Sequence, residues 1–227
     1  MLVIFDCDGV LVETETLGAE VLRDCLAPLG VQVNVAEVFA LFRGKSIAVC
    51  AEQVAALIAD NEPYCSWPEA ERLDFAEQFW ARVQDETLRA FERGVEPIPG
   101  IKPVLEHLQN TGTEFCVASN GRHEKMQLSL TQSGLIEFFP RHRFSATDVS
   151  EGKPAPDLFL LAAKTLGYAP SECVVVEDSP SGARAARLAG MQLFAYCPPE
   201  TDSRTRQALA REGAELIGQM HELCDKI

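Results

Sequence analysis

Two kinds of hydrophobic pattern run along the chain, and the change from one to the other divides it. Leu2-Val-Ile-Phe5 is a short, uniformly apolar run, the pattern of a strand buried on both faces. From Glu15 the period lengthens: Leu17, Val21, Leu22, Cys25, Leu26 and Leu29 fall on one helical face, and Gly30 supplies a stop. A short helix over Val35 to Phe42 breaks at Arg43-Gly44-Lys45, and a third helix carries Ile47, Cys50, Val54, Leu57 and Ile58. Past Pro63 to Pro68 comes a long helix with Leu73, Ala76, Phe79, Trp80, Val83, Leu88 and Phe91 facing inwards. About 80 residues, from Glu15 to Arg93, therefore read as helices alone, too many for a connecting loop. The pattern predicts a helical module, 15–93, inserted into a unit made of 1–14 and 94–227, with Gly94-Val-Glu-Pro-Ile-Pro-Gly100 as the return hinge.

From Ile101 helix and strand alternate. A helix with Ile101, Val104, Leu105 and Leu108 leads to a strand at Phe115-Cys-Val-Ala118, and a helix over Arg122 to Gln132 leads to a weak strand near Arg143-Phe-Ser-Ala146. A helix with Phe159, Ala162, Ala163 and Leu166 inwards feeds Cys173-Val-Val-Val176, the clearest strand in the chain. Ser179 reads as an N-cap with Pro180 at the first helical position, Gly190 closes that helix, and Leu193 to Tyr196 form another strand. The tail, Asp202 to Ile227, predicts a polar helix and a short amphipathic one, separated by a minor strand at Glu215 to Ile217. This alternation predicts the α/β class, a doubly wound parallel sheet covered by helices on both faces.

Composition narrows the function. A chain of 227 residues can bury a substantial core, and its net charge of −14 argues against nucleic acid or an anionic membrane surface as a partner. A small anionic substrate stays compatible, because a few local cations or a metal outweigh the global field nearby. Neither a bilayer-spanning run nor room for a signal peptide is evident. The eight cysteines form no C-x-x-C pair, so reduced thiols in a reducing cytoplasm are expected. The expected assembly is a monomer or weak homodimer.

Ligands of an open parallel sheet bind outside the carboxyl ends of its strands, so the residues standing there are informative. After the first strand come Asp6, Asp8 and Gly9; after the second, Ser119, Asn120 and Gly121; after the clearest strand, Glu177, Asp178 and Ser179. The loop after the weak strand carries Gly152-Lys153-Pro-Ala-Pro-Asp157. Taken singly, each is explained as a turn, a cap or a solvated charge. Gathered on one sheet edge they form a chemical set. Carboxylates on two strand ends suit Mg²⁺, Ser119 and the amides of a helix N-terminus suit phosphate oxygens, and Lys153 can neutralise carboxylate and phosphate together. Asp6 and Asp8, one residue apart, are like charges that require a cation between them or a retained proton.

Asp6-Cys-Asp8-Gly-Val-Leu, Ser119-Asn120, Lys153-Pro-Ala-Pro-Asp and Glu177-Asp178-Ser, in this order, resemble the haloacid dehalogenase-like superfamily of aspartate-nucleophile phosphotransferases. The helical insertion is similar to that family's cap, which closes over the substrate, and the subgroup is similar to β-phosphoglucomutase-like sugar phosphatases. Ser119-Asn-Gly-Arg-His-Glu-Lys-Met-Gln followed by Phe138-Phe139 most resembles bacterial phosphatases of 6-phosphogluconate type. The resemblance implies a Mg²⁺-dependent phosphatase of a small phosphorylated metabolite. By position, Asp6 would be the nucleophile that carries an aspartyl-phosphate, and Asp8 the acid and then the base. Mg²⁺ would bind the Asp6 carboxylate, the Asp8 carbonyl and Asp178, with Glu177 close by in support. Ser119, Lys153 and the amides of Asn120 and Gly9, with Gly121 beside them, would hold the phosphoryl group. Arg43, Gly44 and Lys45 are expected to contact the leaving group, with Arg122 and Lys125 as further candidates. A mutase of β-phosphoglucomutase type is a rival reading. Such mutases usually carry a histidine where this chain has Gly18, and that departure favours water as acceptor. A receiver-like phospho-acceptor without enzymatic activity is a rival from another class, and the insertion and Asp8 argue against it.

Overall fold

The computed structural model describes residues 1–42 and 47–227; the expected substrate-contacting turn Arg43, Gly44 and Lys45 lies outside them. The described chain divides into two compact units, Met1–Glu13 with Gly94–Ile227, and Thr14–Arg93.

The first unit is built on six parallel strands: β1 (Leu2–Phe5), β2 (Glu114–Ser119), β3 (Arg143–Ser145), β4 (Cys173–Glu177), β5 (Gln192–Tyr196) and β6 (Glu215–Ile217). Their order across the sheet is β3-β2-β1-β4-β5-β6. That is the doubly wound arrangement, whose order reverses between β1 and β4 and so leaves a crevice at their carboxyl ends. Helices α5 (Ile101–Thr111), α6 (His123–Gln132), α7 (Asp157–Leu166), α8 (Pro180–Ala189) and α9 (Ser203–Arg211) accompany the strands. Period-two alternation sorts the strand residues between the faces. Leu2, Ile4, Cys116, Ala118, Val175, Leu193 and Ala195 join one buried cluster with Phe159, Ala162, Ala186 and Leu209 of α7, α8 and α9. Val3, Phe5, Val117, Val174 and Val176 are buried on the other side, and Phe5 meets Phe115 edge to face at 6.3 Å. Alanines at 183, 185, 186 and 189 let α8 lie close to the sheet.

The second unit holds α1 (Glu15–Leu26), α2 (Val35–Phe42), α3 (Ile47–Leu57) and α4 (Glu69–Glu92). Ala19, Leu22, Leu26, Val38, Val54, Ile58, Phe79 and Val83 form its core. Phe42 stacks on Trp80 at 5.7 Å. Among the described residues no helix is long and apolar enough to cross a membrane.

Two expectations about the backbone need correction. The terminal amphipathic segment is a run of 3-10 turns over Met220–Asp225 rather than an α-helix; Met220 and Leu223 alone are buried from it, too few apolar positions for a full helical face. The return segment is also less free than its glycines and prolines suggest. Glu13 N–H donates to the Glu96 carbonyl and Ile98 N–H to that of Leu11, both at 2.9 Å, so 96–98 is pinned alongside 11–13. Gly94, at φ 139°, is the residue of that segment left with an open surround.

Candidate active site

The register of the central strands brings the acids together. Phe5 is paired with Val176, and the next N–H, that of Asp6, donates to the Val176 carbonyl at 2.9 Å. Asp6 therefore leaves β1 beside the point where Glu177 ends β4. Both side chains are buried, and so is the ammonium between them: Lys153 Nζ donates to Asp6 Oδ1 at 2.5 Å and to Glu177 Oε1 at 2.7 Å. The Phe159 ring lies 4.8 Å from the same nitrogen, adding cation–π attraction where water is excluded. An isolated buried ammonium is costly. Here Asp6 and Glu177 outweigh the burial and hold Lys153 protonated, above the ordinary lysine range. Asp6 responds in the opposite way to its surroundings. Burial is the largest influence and pushes its carboxyl up to about 7, with Lys153 pulling down and Glu177 and Asp8 pushing further up.

The loop that carries Lys153 is held by Asn120. Its side-chain amide donates to the Lys153 carbonyl and its Oδ1 accepts from the Lys153 N–H, each at 2.9 Å. Gly152 makes this clamp possible, since a Cβ there would stand 2.7 Å from Asn120 Oδ1. The sequence singles out only the backbone amide of Asn120, so its side-chain role is new. Ser119, buried at the end of β2, accepts from the Gly121 N–H at 3.0 Å. The hydroxyl oxygen is thereby oriented, and its hydrogen is left to donate. Ser145, at the end of β3, fixes the same turn by donating to the Gly121 carbonyl at 2.7 Å.

Glu177 is engaged at both oxygens. Oε2 accepts from the N–H groups of Asp178 and Ser179 at 3.0 Å each and from the Ser179 hydroxyl at 2.9 Å. Ser179 Oγ in turn accepts from the Gly182 N–H at 3.1 Å, capping α8. With Oε1 on Lys153 as well, Glu177 has the contacts of a bracket for Lys153 and the Asp178 loop. Its carboxylate is also one of the three that lie close enough together to hold a metal. Gly182 gives this carboxylate its space, because a Cβ there would lie 1.7 Å from Oε1. A glycine in the otherwise alanine-rich opening of α8 is the one signal in the sequence that marks it.

Gly9 also differs from expectation. Its N–H donates to the Val12 carbonyl at 2.9 Å, so that amide is not directed at a phosphate. Its φ of 79° and missing side chain serve the turn instead, and a Cβ would stand 2.3 Å from Asp178 Oδ2. Asp8, one residue earlier, is met from across the sheet. Lys125, in the first turn of α6, donates from Nζ to Asp8 Oδ2 at 2.8 Å, and Asp8 keeps this partly buried lysine protonated against its desolvation.

Asp6, Glu177 and Asp178 each offer a carboxylate oxygen within 4.8 Å of one another. Asp6 and Glu177 are buried and Asp178 partly so, and a close group of carboxylate oxygens suits a hard divalent cation. The donor set fits a hard cation such as Mg²⁺, which Asp6 and Asp178, with Glu177 beside them, could hold.

Comparison with known proteins identifies the family. Residues 1–190 match the model of the haloacid dehalogenase-like hydrolase family. The chain belongs to that family. It is 30% identical to a 6-phosphogluconate phosphatase of Escherichia coli (strain K12) over 195 residues, 86% of this chain and 81% of the relative. A fructose-1-phosphate phosphatase of the same organism is 30% identical over 198 residues, 83% of this chain and 92% of the relative. Among solved structures, a haloacid dehalogenase family hydrolase from Deinococcus radiodurans R1, crystallised with bound phosphate and sodium, superposes with a TM-score of 0.76 at 32% identity, covering 98% of this chain and 92% of its own.

Proposed function

We propose that this chain is a Mg²⁺-dependent phosphatase of small phosphorylated metabolites, a sugar phosphate or a phosphorylated sugar acid such as 6-phosphogluconate, and that it works through an aspartyl-phosphate on Asp6. The observation that carries the reading is the buried Asp6–Lys153–Glu177 cluster with Asp8 held separately by Lys125. One acid sits beside a fixed cation and an acidic metal cluster, as a nucleophile toward phosphorus requires. The other lies outside that cluster and is available for proton transfer. The two phosphatase relatives, both named for sugar-type phosphates, support the substrate class.

In this scheme the Asp6 carboxylate attacks the ester phosphorus while Lys153 keeps the attacking oxygen oriented and offsets charge on the phosphoryl oxygens. Bound at Asp6, Asp178 and the Asp8 carbonyl, Mg²⁺ would supply charge neutralisation between nucleophile and phosphoryl group. Ser119 donates its hydroxyl hydrogen to a phosphoryl oxygen. Asp8 gives a proton to the departing ester oxygen, and afterwards takes one from the water that displaces phosphate from Asp6. The carboxyls of Asp6 and Asp8 thus return to their starting protonation after each turnover.

The test is release of inorganic phosphate, with Mg²⁺, from a panel that includes 6-phosphogluconate, fructose 1-phosphate and a non-sugar ester. Turnover should be highest on the sugar-type esters and fall by about a thousandfold or more in Asp6→Asn. Activity that survives Asp6→Asn, or a folded chain that cleaves no ester in the panel, overturns the proposal.

A further inference from the structure

Two lysines enter this site, and they serve different acids. Lys153 comes from the loop before α7 and is committed to Asp6 and Glu177. Lys125 comes from α6 and meets Asp8 at 2.8 Å, 117 positions away in sequence. Its side chain reaches Asp8 along the Gly121 turn: a Cβ added to Gly121 would be 3.5 Å from Lys125 Cδ, 3.3 Å from Ser119 Oγ and 3.8 Å from Asp8 Oδ2. The space left by Gly121 thus brings the Lys125 stem, the Ser119 hydroxyl and the Asp8 carboxyl within one side chain's reach of each other. Lys125 and Asp8 keep only 33% and 25% of their side-chain surface, so the pair is more confined than an ordinary surface ion pair.

From this geometry we propose that Lys125 is a positioning residue for cleavage of the ester bond, holding Asp8 at Oδ2 so that its carboxyl is aimed at the leaving oxygen. The inference rests on the acid/base role of Asp8 proposed above. During cleavage the P–O bond to the alcohol breaks as the bond to Asp6 forms. The Asp8 proton moves to the ester oxygen, and the carboxylate left behind is met by the Lys125 ammonium. An aryl alcohol such as 4-nitrophenol leaves readily as an anion and needs little of this help, whereas a sugar or alkyl alcohol needs it fully. Lys125 therefore acts through Asp8 and according to the leaving group.

The readout is kcat/KM, which covers only the steps up to alcohol release and omits the later water attack common to all esters. Lys125→Met keeps the stem and removes the charge. It should lower kcat/KM for a sugar phosphate about tenfold or more, equivalent to about 1.4 kcal/mol, and by a factor at least three times smaller for 4-nitrophenyl phosphate. Inhibition by inorganic phosphate should change little, and Lys125→Arg should recover most of the sugar-ester rate. Equal losses on both esters, or weakened phosphate inhibition, would make Lys125 a structural or phosphate-holding group and overturn the proposal. Asp8→Asn separates the two levels of argument. If it shows the same leaving-group bias and Lys125→Met does not, the lysine proposal alone is lost. If Asp8→Asn shows no bias, the acid role falls and the lysine proposal falls with it.

Discussion

Gly182→Ala is the most direct test of how the buried Lys153 is held. Glycine is poorer than alanine in a helix interior by about 0.8–1.0 kcal/mol, and Gly182 lies within α8 without a left-handed φ. Propensity alone therefore predicts that alanine stabilises the chain. The surroundings predict the reverse. The new methyl would sit 1.7 Å from Glu177 Oε1 and 1.9 Å from Cδ, where ordinary contact begins at 3.4 Å. The carboxylate would have to move by well over an ångström, yet it is fixed by Lys153 at 2.7 Å and by three donors at 2.9 to 3.0 Å. Moving it breaks a buried ion pair, at a cost of about 3–5 kcal/mol. Subtracting the helix gain of about 1 kcal/mol leaves a net loss of about 2–4 kcal/mol.

For a chain of this size that loss lowers the melting temperature by about 4–16 °C. Turnover should fall further than stability, because the Lys153 ammonium loses one of its two carboxylates and with it its aim at Asp6. Thermal melting and phosphate-release kinetics on the same preparation read both effects. A double-mutant cycle assigns the cause: in a Glu177→Ala background the added methyl meets no carboxylate, so Gly182→Ala should become neutral or stabilising there. A single Gly182→Ala variant that melts at or above the parent, with full turnover, would refute the claim that this glycine lodges the Glu177 carboxylate.

Asp6 gives a pH test. Its carboxyl is raised from 3.8 to about 7, chiefly by burial, so the protonated form is favoured by folding. The stability this adds is fully present below about 3.8 and is lost as pH rises through about 7. At 1.36 kcal/mol per pH unit the loss reaches about 4 kcal/mol at most. Without metal, Asp6→Asn should therefore gain on the parent in melting temperature between pH 5 and pH 7.5, and Mg²⁺ should raise the melting temperature of the parent more than that of the variant; parallel pH curves would count against it. Asn120→Ala removes two hydrogen bonds to the Lys153 backbone, worth about 2 kcal/mol together. It should lower the melting temperature by about 4–8 °C and reduce kcat more than it raises KM, whereas a pure KM effect would assign Asn120 to substrate binding. Asp8→Ala should lower kcat/KM for sugar phosphates by about 10²–10⁴ while leaving the Mg²⁺-dependent rise in melting temperature; undiminished turnover would remove the proton-transfer role.

What the sequence discloses here, and what it withholds, follows from the range of the interactions. The alternation of period two and period 3.6 is local, so β1, β4, α2 and α8 are legible from runs such as Leu2–Phe5 and Cys173–Val176. The strand-end positions of Asp6, Ser119 and Glu177 follow from the same reading, because a strand's end is set by where its apolar run stops. The Gly9 amide is not legible in this way. Whether that N–H faces a ligand or the chain depends on the turn, and here the turn closes onto Val12.

Lys153 shows why partners matter more than residue type at such positions. Read locally, a lysine ahead of a proline in a loop is a solvated charge, yet this one is 8% exposed. Its burial is tolerable only because β1 and β4 each deliver a carboxylate to it, α7 delivers the Phe159 ring and β2 delivers the Asn120 clamp. β2, β1 and β4 are neighbours through the sheet order β3-β2-β1-β4-β5-β6, not through the sequence, and α7 packs against β1 and β2. The same reasoning separates the surroundings of Asp6 and Asp8, which local spacing alone leaves as a repelling pair. One acid lies on the Lys153 side of the strand end and the other on the Lys125 side. The α/β winding therefore gives two like charges different surroundings, one acid buried against Lys153 and the other partly exposed against Lys125, as the proposed roles of nucleophile and proton carrier require.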